Sequence, residues 1–124
     1  MSLFQRGEYR LHSGERSWWK IDCDNLTGED FHTLAAIVAS WWPQGFGRVV
    51  GVPRGGLCLA AALDRYVTPG WNKPVLIVDD VLTTGKSMEE MRERVSPMPC
   101  YGAVIFARGQ CPAWVRPVFQ MQLG

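Results

Sequence analysis

The stretch that most constrains this chain is Val75-Leu76-Ile77-Val78-Asp79-Asp80-Val81-Leu82-Thr83-Thr84-Gly85-Lys86-Ser87. Four apolar, mostly β-branched residues read as a buried strand. Two adjacent carboxylates close it, and a turn of Thr-Thr-Gly-Lys-Ser follows. Ser87 opens a helical pattern, Met88-Glu89-Glu90-Met91. A strand, a small polar loop and a helix start gather N–H donors and positive potential for an anion. The hydroxyls of Thr83, Thr84 and Ser87 add donors, and Gly85 lets the backbone approach closely. Two carboxylates beside such a cradle repel a bare phosphate. They suit a ligand that also carries vicinal hydroxyls or a divalent metal, and a ribose 5-phosphate has both features. An ordinary buried strand with an acidic end is the plainer reading. A P-loop is excluded by one residue: Gly-x-x-x-x-Gly-Lys-Ser needs glycine where Asp80 stands.

This stretch resembles the phosphoribosyl-pyrophosphate (PRPP) signature of type I phosphoribosyltransferases. The resemblance implies that Asp79 and Asp80 hold the ribose hydroxyls, and that Thr83, Thr84, Gly85, Lys86 and Ser87 hold the 5′-phosphate. A second match lies upstream. Arg48-Val49-Val50-Gly51-Val52 reads as a short buried strand, followed by Pro53-Arg54-Gly55-Gly56 and an alanine-rich helix from Leu57 to Tyr66. Taken alone, Gly-Gly after a strand marks only a tight turn. Beside the PRPP stretch it resembles the family's pyrophosphate loop. That implies Arg54 beside the pyrophosphate, donation from the Gly55 and Gly56 amides, and a cis peptide at Val52–Pro53, where proline makes cis inexpensive.

Composition narrows the function classes. The formal net charge is +1, so no general nucleic-acid or membrane field is expected. No apolar run approaches the roughly 20 residues of a membrane span, and Met1 to Arg10 lacks a signal-peptide core. Cys23, Cys58, Cys100 and Cys111 show no Cys-x-x-Cys pairing, and His12 and His32 complete no zinc pattern. Reduced thiols in a cytoplasmic protein are the expectation.

Residues 1–8 carry no strong pattern and read as an arm. Ser13-Gly14-Glu15-Arg16-Ser17 between two β-like runs reads as a hairpin turn. Leu-x-Ser-Gly-x-x-Ser also resembles the N-terminal hood segment of orotate phosphoribosyltransferases, which implies base contacts from His12 and Ser13. That subfamily usually has lysine where this chain has His12. Thr27 reads as an N-cap for a helix with Phe31, Leu34, Ala35, Val38 and Trp42 at helical spacing. Val67 to Pro74 is a short connection with two prolines. In most enzymes of the family an extra strand and a long mobile lid stand there. The helix from Ser87 stops near Val95, before Pro97 and Pro99. Residues 102–107 form the next strand, and Arg108 lies at its C-terminal end, where α/β sheets gather ligands. Arg108 reads either as an exposed turn residue or, by the resemblance, as the group that receives the base. Residues 113–121 read as an edge strand.

The expectation is one α/β domain over residues 1–124: a mostly parallel twisted sheet flanked by helices on both faces. Strands at about 48–52, 75–80 and 102–107 are joined by right-handed crossovers. The core spans about 27–112, with a small hood from the N- and C-terminal segments, its N-terminal part about 1–26. The resemblance implies phosphoribosyl transfer from PRPP to a nucleobase, orotate first, releasing pyrophosphate, with Asp79, Asp80 and Arg54 central to catalysis. It implies Mg²⁺ held mainly by substrate, no resident metal site and a homodimer, while the near-neutral charge points to no nucleic-acid or membrane partner. The alternative is a non-catalytic PRPP- or nucleotide-binding regulator on the same fold, favoured by the missing lid and by His12 where the subfamily has lysine.

Overall fold

The computed structural model describes the backbone of residues 4–10 and 16–21 and all of residues 25–122. Strands β1 (Phe4–Arg10) and β2 (Arg16–Ile21) pair antiparallel as a separate two-stranded sheet, with a register shift between Arg6 and Tyr9. The expected arm is therefore mostly strand: antiparallel pairing supplies the order that the residue pattern alone does not announce.

The main sheet has four parallel strands in the order β3 (Arg48–Gly51), β4 (Val75–Leu82), β5 (Cys100–Ala107) and β6 (Val115–Gln120). The C-terminal strand lies in this sheet, as its edge, and so does not join a hood. β4 runs two residues past the expected end at Asp80, because Val81 and Leu82 still pair with Phe106 and Ala107. The acidic pair thus sits inside the strand.

Alternate residues of the central strands feed two cores. Leu76, Val78, Ala103 and Ile105 face helices α1 (Gly28–Ser40) and α2 (Leu57–Leu63) through Leu34, Ala35, Val38, Leu59 and Leu63. Val75, Ile77, Val104 and Val115 face helix α3 (Lys86–Val95) through Met88. Leu59 and Leu63 are fully buried, and each such side chain contributes about 1.5–3 kcal/mol over an exposed one. α1 starts where the sequence places it. Thr27 Oγ1 accepts from the Asp30 N–H at 3.1 Å, and Asp30 Oδ2 accepts from the Thr27 N–H at 2.8 Å. The helix stops at Ser40, so Trp42 falls outside it and stacks on Tyr101 at 4.9 Å. A 3₁₀ turn at Asp64–Tyr66 closes the segment expected as one helix from Leu57.

One expectation of topology fails. The β3→β4 and β4→β5 connections step across the sheet in the same direction, yet α2 and α3 cover opposite faces. Two such crossovers have opposite hands, so they are not both right-handed. The twist preference is outweighed by the burial of α2 against α1.

On the α3 face, Trp114 Nε1 donates to Glu89 Oε1 at 2.7 Å. Arg92 lies 4.8 Å from the Trp114 ring and 3.0 Å from Glu89 Oε2. This cluster ties α3 to the β5–β6 connection. Among the described residues no helix is long and apolar enough to cross a membrane, and Cys58, Cys100 and Cys111 are free thiols.

Candidate functional site

Parallel strands put all their C-terminal ends on one edge, and register fixes the level of each. Gly51 pairs with Val78, Asp79 with Val104, Leu82 with Ala107, and Ala107 with Gln120. Three loops leave this edge: residues 52–56 after β3, 83–85 after β4 and 108–112 after β5.

The first loop is drawn against β4. The Val52 N–H donates to the Val78 carbonyl at 2.8 Å, one step beyond the β3 ladder. Gly55 then lies against the Asp80 side chain so closely that an added Cβ would run into all three carboxylate atoms. Gly56 is as tight against Val78 and Val52. Its amide is committed inside the loop, donating to the Val52 carbonyl at 2.8 Å, and the Leu57 amide donates to the Arg54 carbonyl at 3.2 Å. The expected outward donation from Gly56 is therefore absent: the turn consumes that N–H. The cis peptide falls at Pro53–Arg54, one residue beyond the expected Val52–Pro53. Pro53 and Arg54 are exposed.

Asp79 is 9% exposed and Asp80 half-buried. The Asp80 N–H donates to Asp79 Oδ1 at 2.8 Å, and the Val81 N–H donates to Asp80 Oδ1 at 2.7 Å. Burial is the main force on Asp79. Hydrogen bonding to the Asp80 side chain and that carboxylate's charge add to it, while the Asp80 N–H opposes them. Together they push the Asp79 carboxyl from 3.8 up to about 8.

The second loop ends at Gly85, whose φ of +85° is the left-handed conformation that glycine adopts without cost. α3 starts at Lys86, one residue before the expected Ser87. Gly85 as N-cap offers no side-chain hydrogen bond to the helix start; Thr84 Oγ1 accepts from the Lys86 N–H at 3.3 Å. Thr83 is half-buried, while Thr84, Lys86 and Ser87 are exposed. Lys86 Nζ is 3.9 Å from Glu90 Oε1, with both side chains largely exposed, a pairing of little energy.

The third loop leans on the second at three points. The Arg108 N–H donates to the Leu82 carbonyl at 2.8 Å, Gly109 packs against the Thr83 carbonyl, and Pro112 lies beside Gly85. Arg108 is half-buried. The structure thus gathers Asp79, Asp80, residues 53–56, residues 83–87 and Arg108 on one edge. His12 and Ser13 lie outside the described residues. Sequence reasoning missed Gln120, whose side-chain amide donates to carbonyls on both sides of Arg108; a glutamine ending an edge strand carries no local signal.

No protein-family profile matches the sequence, and no curated protein matches it. Solved structures do. The orotate phosphoribosyltransferase from Aeropyrum pernix superposes with a TM-score of 0.72 at 26% identity, over 96% of this chain and 88% of that one. The UMP synthase of Leishmania donovani gives 0.74 at 19% identity, over 96% of this chain and 34% of that one. A purine phosphoribosyltransferase from Pyrococcus horikoshii gives 0.61 at 22%, over 78% and 86%. The fold is that of the type I phosphoribosyltransferases. The chain resembles orotate and other type I phosphoribosyltransferases.

Among the described residues no cluster of three or more His, Cys, Asp or Glu side chains is arranged to hold a metal by itself. Asp79 and Asp80 offer two carboxylates. Mg²⁺ readily completes its octahedron with phosphate oxygens and water, so the donor set fits an ion brought in with a phosphorylated substrate.

Proposed function

We propose that this protein transfers the 5-phosphoribosyl group from PRPP to a nucleobase, releasing pyrophosphate. One observation carries the reading: Asp80 of the acidic pair of β4, beside the buried Asp79, lies against Gly55 of the loop after β3, on the same edge as the start of α3, whose N-cap Gly85 has no side chain to occupy the helix amides. Carboxylates for ribose hydroxyls and a helix start for the phosphate are thus adjacent in one cleft. The type I phosphoribosyltransferase fold supports the same conclusion.

In this reading the base nitrogen forms a bond to the anomeric carbon as the bond to pyrophosphate oxygen breaks. Positive charge develops on the ribose ring. Asp79 and Asp80 hold the hydroxyls, Asp80 opposes that charge, and the rigidity of the pair comes from the strand they occupy. Thr83, Thr84, Gly85, Lys86 and Ser87 anchor the 5′-phosphate. Arg54 and the Gly55 backbone meet the pyrophosphate. Mg²⁺, when bound, neutralises the leaving group's charge. Arg108 receives the base, and its guanidinium suits a planar anion such as orotate. His12 and Ser13 complete the base site in this reading.

A second reading keeps PRPP binding without turnover, and a specific observation favours it. Val67–Pro74, where a lid would be expected, is tied to the opposite edge of the sheet. The Thr68 N–H donates to the Phe46 carbonyl at 2.9 Å, the Gly47 N–H to the Pro74 carbonyl at 2.9 Å, and Lys73 Nζ to the Gln44 carbonyl. That segment cannot cover the reactants. One experiment separates the readings: pyrophosphate release from PRPP with Mg²⁺ across orotate, uracil, hypoxanthine, xanthine, guanine and adenine, with calorimetry of PRPP binding on the same sample. Base-dependent release establishes the transferase. Tight binding without release for any base establishes the sensor, and no binding refutes both.

A further inference from the structure

We propose that Gln120 is a positioning residue for the base-binding turn at Arg108, so that the last residue of β6 sets the affinity for the nucleobase. The proposal rests on the transferase reading above. Ladder pairing already holds this end of the sheet, since Ala107 pairs with Gln120 and the Met121 N–H donates to the Ala107 carbonyl at 2.8 Å. The Gln120 side chain reaches further. Its Nε2 lies 3.3 Å from the Ala107 carbonyl, 3.1 Å from the Gly109 carbonyl and 3.1 Å from the Met121 carbonyl. Three acceptors around one NH₂ fix the orientation of the amide. Its Oε1 faces Cys111 Sγ at 4.0 Å, and burial pushes that thiol up, so it keeps its proton as a donor.

The bond to Gly109 matters most. Ala107 and Gly109 flank Arg108, so the side chain grips the turn on both sides of the arginine. On its other flank the same turn rests on Leu82, Thr83 and Gly85 of the phosphate loop. Without the amide, the turn keeps its hold on the phosphate loop and loses its hold on β6. The arginine then samples more orientations toward the base, while the acidic pair and the phosphate loop are untouched.

The test is Gln120→Met, which keeps the length and removes the amide, alongside Gln120→Glu, which aims an ionised carboxylate at the carbonyls. Steady-state pyrophosphate release gives KM for the best base, and calorimetry gives Kd for PRPP. With the amide's two N–H donors lost, base KM rises about five- to thirtyfold in the methionine variant and further in the glutamate variant at pH 8. The Kd for PRPP stays unchanged. An unchanged base KM in Gln120→Met overturns the proposal, and so does an equal rise in the PRPP Kd. A wild-type protein that releases no pyrophosphate refutes the transferase reading instead. Amide exchange at residues 109–111 then decides the positioning claim. Faster exchange there in Gln120→Met, with residues 83–87 unchanged, supports the grip, and equal exchange refutes it.

Discussion

Asp79→Asn should make this protein more stable in base and unable to hold PRPP. The carboxyl is 9% exposed within β4, and its folded pKa is raised from 3.8 to about 8. The native state therefore holds this proton more tightly than the unfolded chain does. Stability is fully present below pH 4, falls as pH rises towards about 8, and is level above that. A shift of about four units, at about 1.4 kcal/mol each, sets a ceiling of about 6 kcal/mol. Water entering the strand end relieves part of it, and we expect about 2 kcal/mol to be lost between pH 5 and 8.5. For a chain of this length that is a fall of about 8 °C in Tm. Asparagine keeps an oxygen for the Asp80 N–H and carries no charge. The variant should match the wild type near pH 4.5, exceed it by about 8 °C at pH 8.5, and show no PRPP binding by calorimetry. Scanning calorimetry from pH 4.5 to 9 at fixed salt, without ligand, measures this. Parallel curves for the two proteins would refute the claim that Asp79 ionises against its surroundings.

Three further outcomes follow from close contacts. Gly55→Ala drives a methyl group into the Asp80 carboxylate; overpacking of this kind costs about 1–3 kcal/mol, and the displaced carboxylate should weaken PRPP binding at least tenfold by calorimetry. Gly85→Ala must hold φ at +85°, which costs about 1–2 kcal/mol, visible in urea unfolding, with a parallel loss of PRPP affinity. Trp114→Phe keeps an aromatic ring at this position but removes the 2.7 Å bond to Glu89; stability should fall by about 1 kcal/mol or more with PRPP affinity unchanged, which separates fold from site.

Much of the site was legible because it is local in sequence. Apolar β-branched runs marked β4 and β5, Thr27 marked the start of α1, and Asp79 to Ser87 set the proposed phosphate site within one stretch. What escaped reading depends on contacts between distant segments. Val81 and Leu82 belong to β4 only because β5 pairs with them. The Gly56 amide points inward only because Val52 takes it. Gln120 touches the Arg108 turn only because β6 lies beside β5. The crossover hands follow from α2 packing on α1, which no window of residues displays.

Those opposed hands have a consequence for how the chain can grow. Among the described residues, the sheet margin beyond β3 carries no further strand of the main sheet. A strand inserted after α2 and laid on that margin would reverse the direction of the first step, and both crossovers would then share one hand. Being parallel, it would finish on the edge that carries Gly55 and Asp80. The segment returning from there to the start of β4 would leave from beside the loop after β3. Tyr66 to Trp71 is thus the splice point at which one insertion, of strand plus return, would add a wall beside the site and start its return there, leaving Asp79, Asp80 and Gly55 where they are.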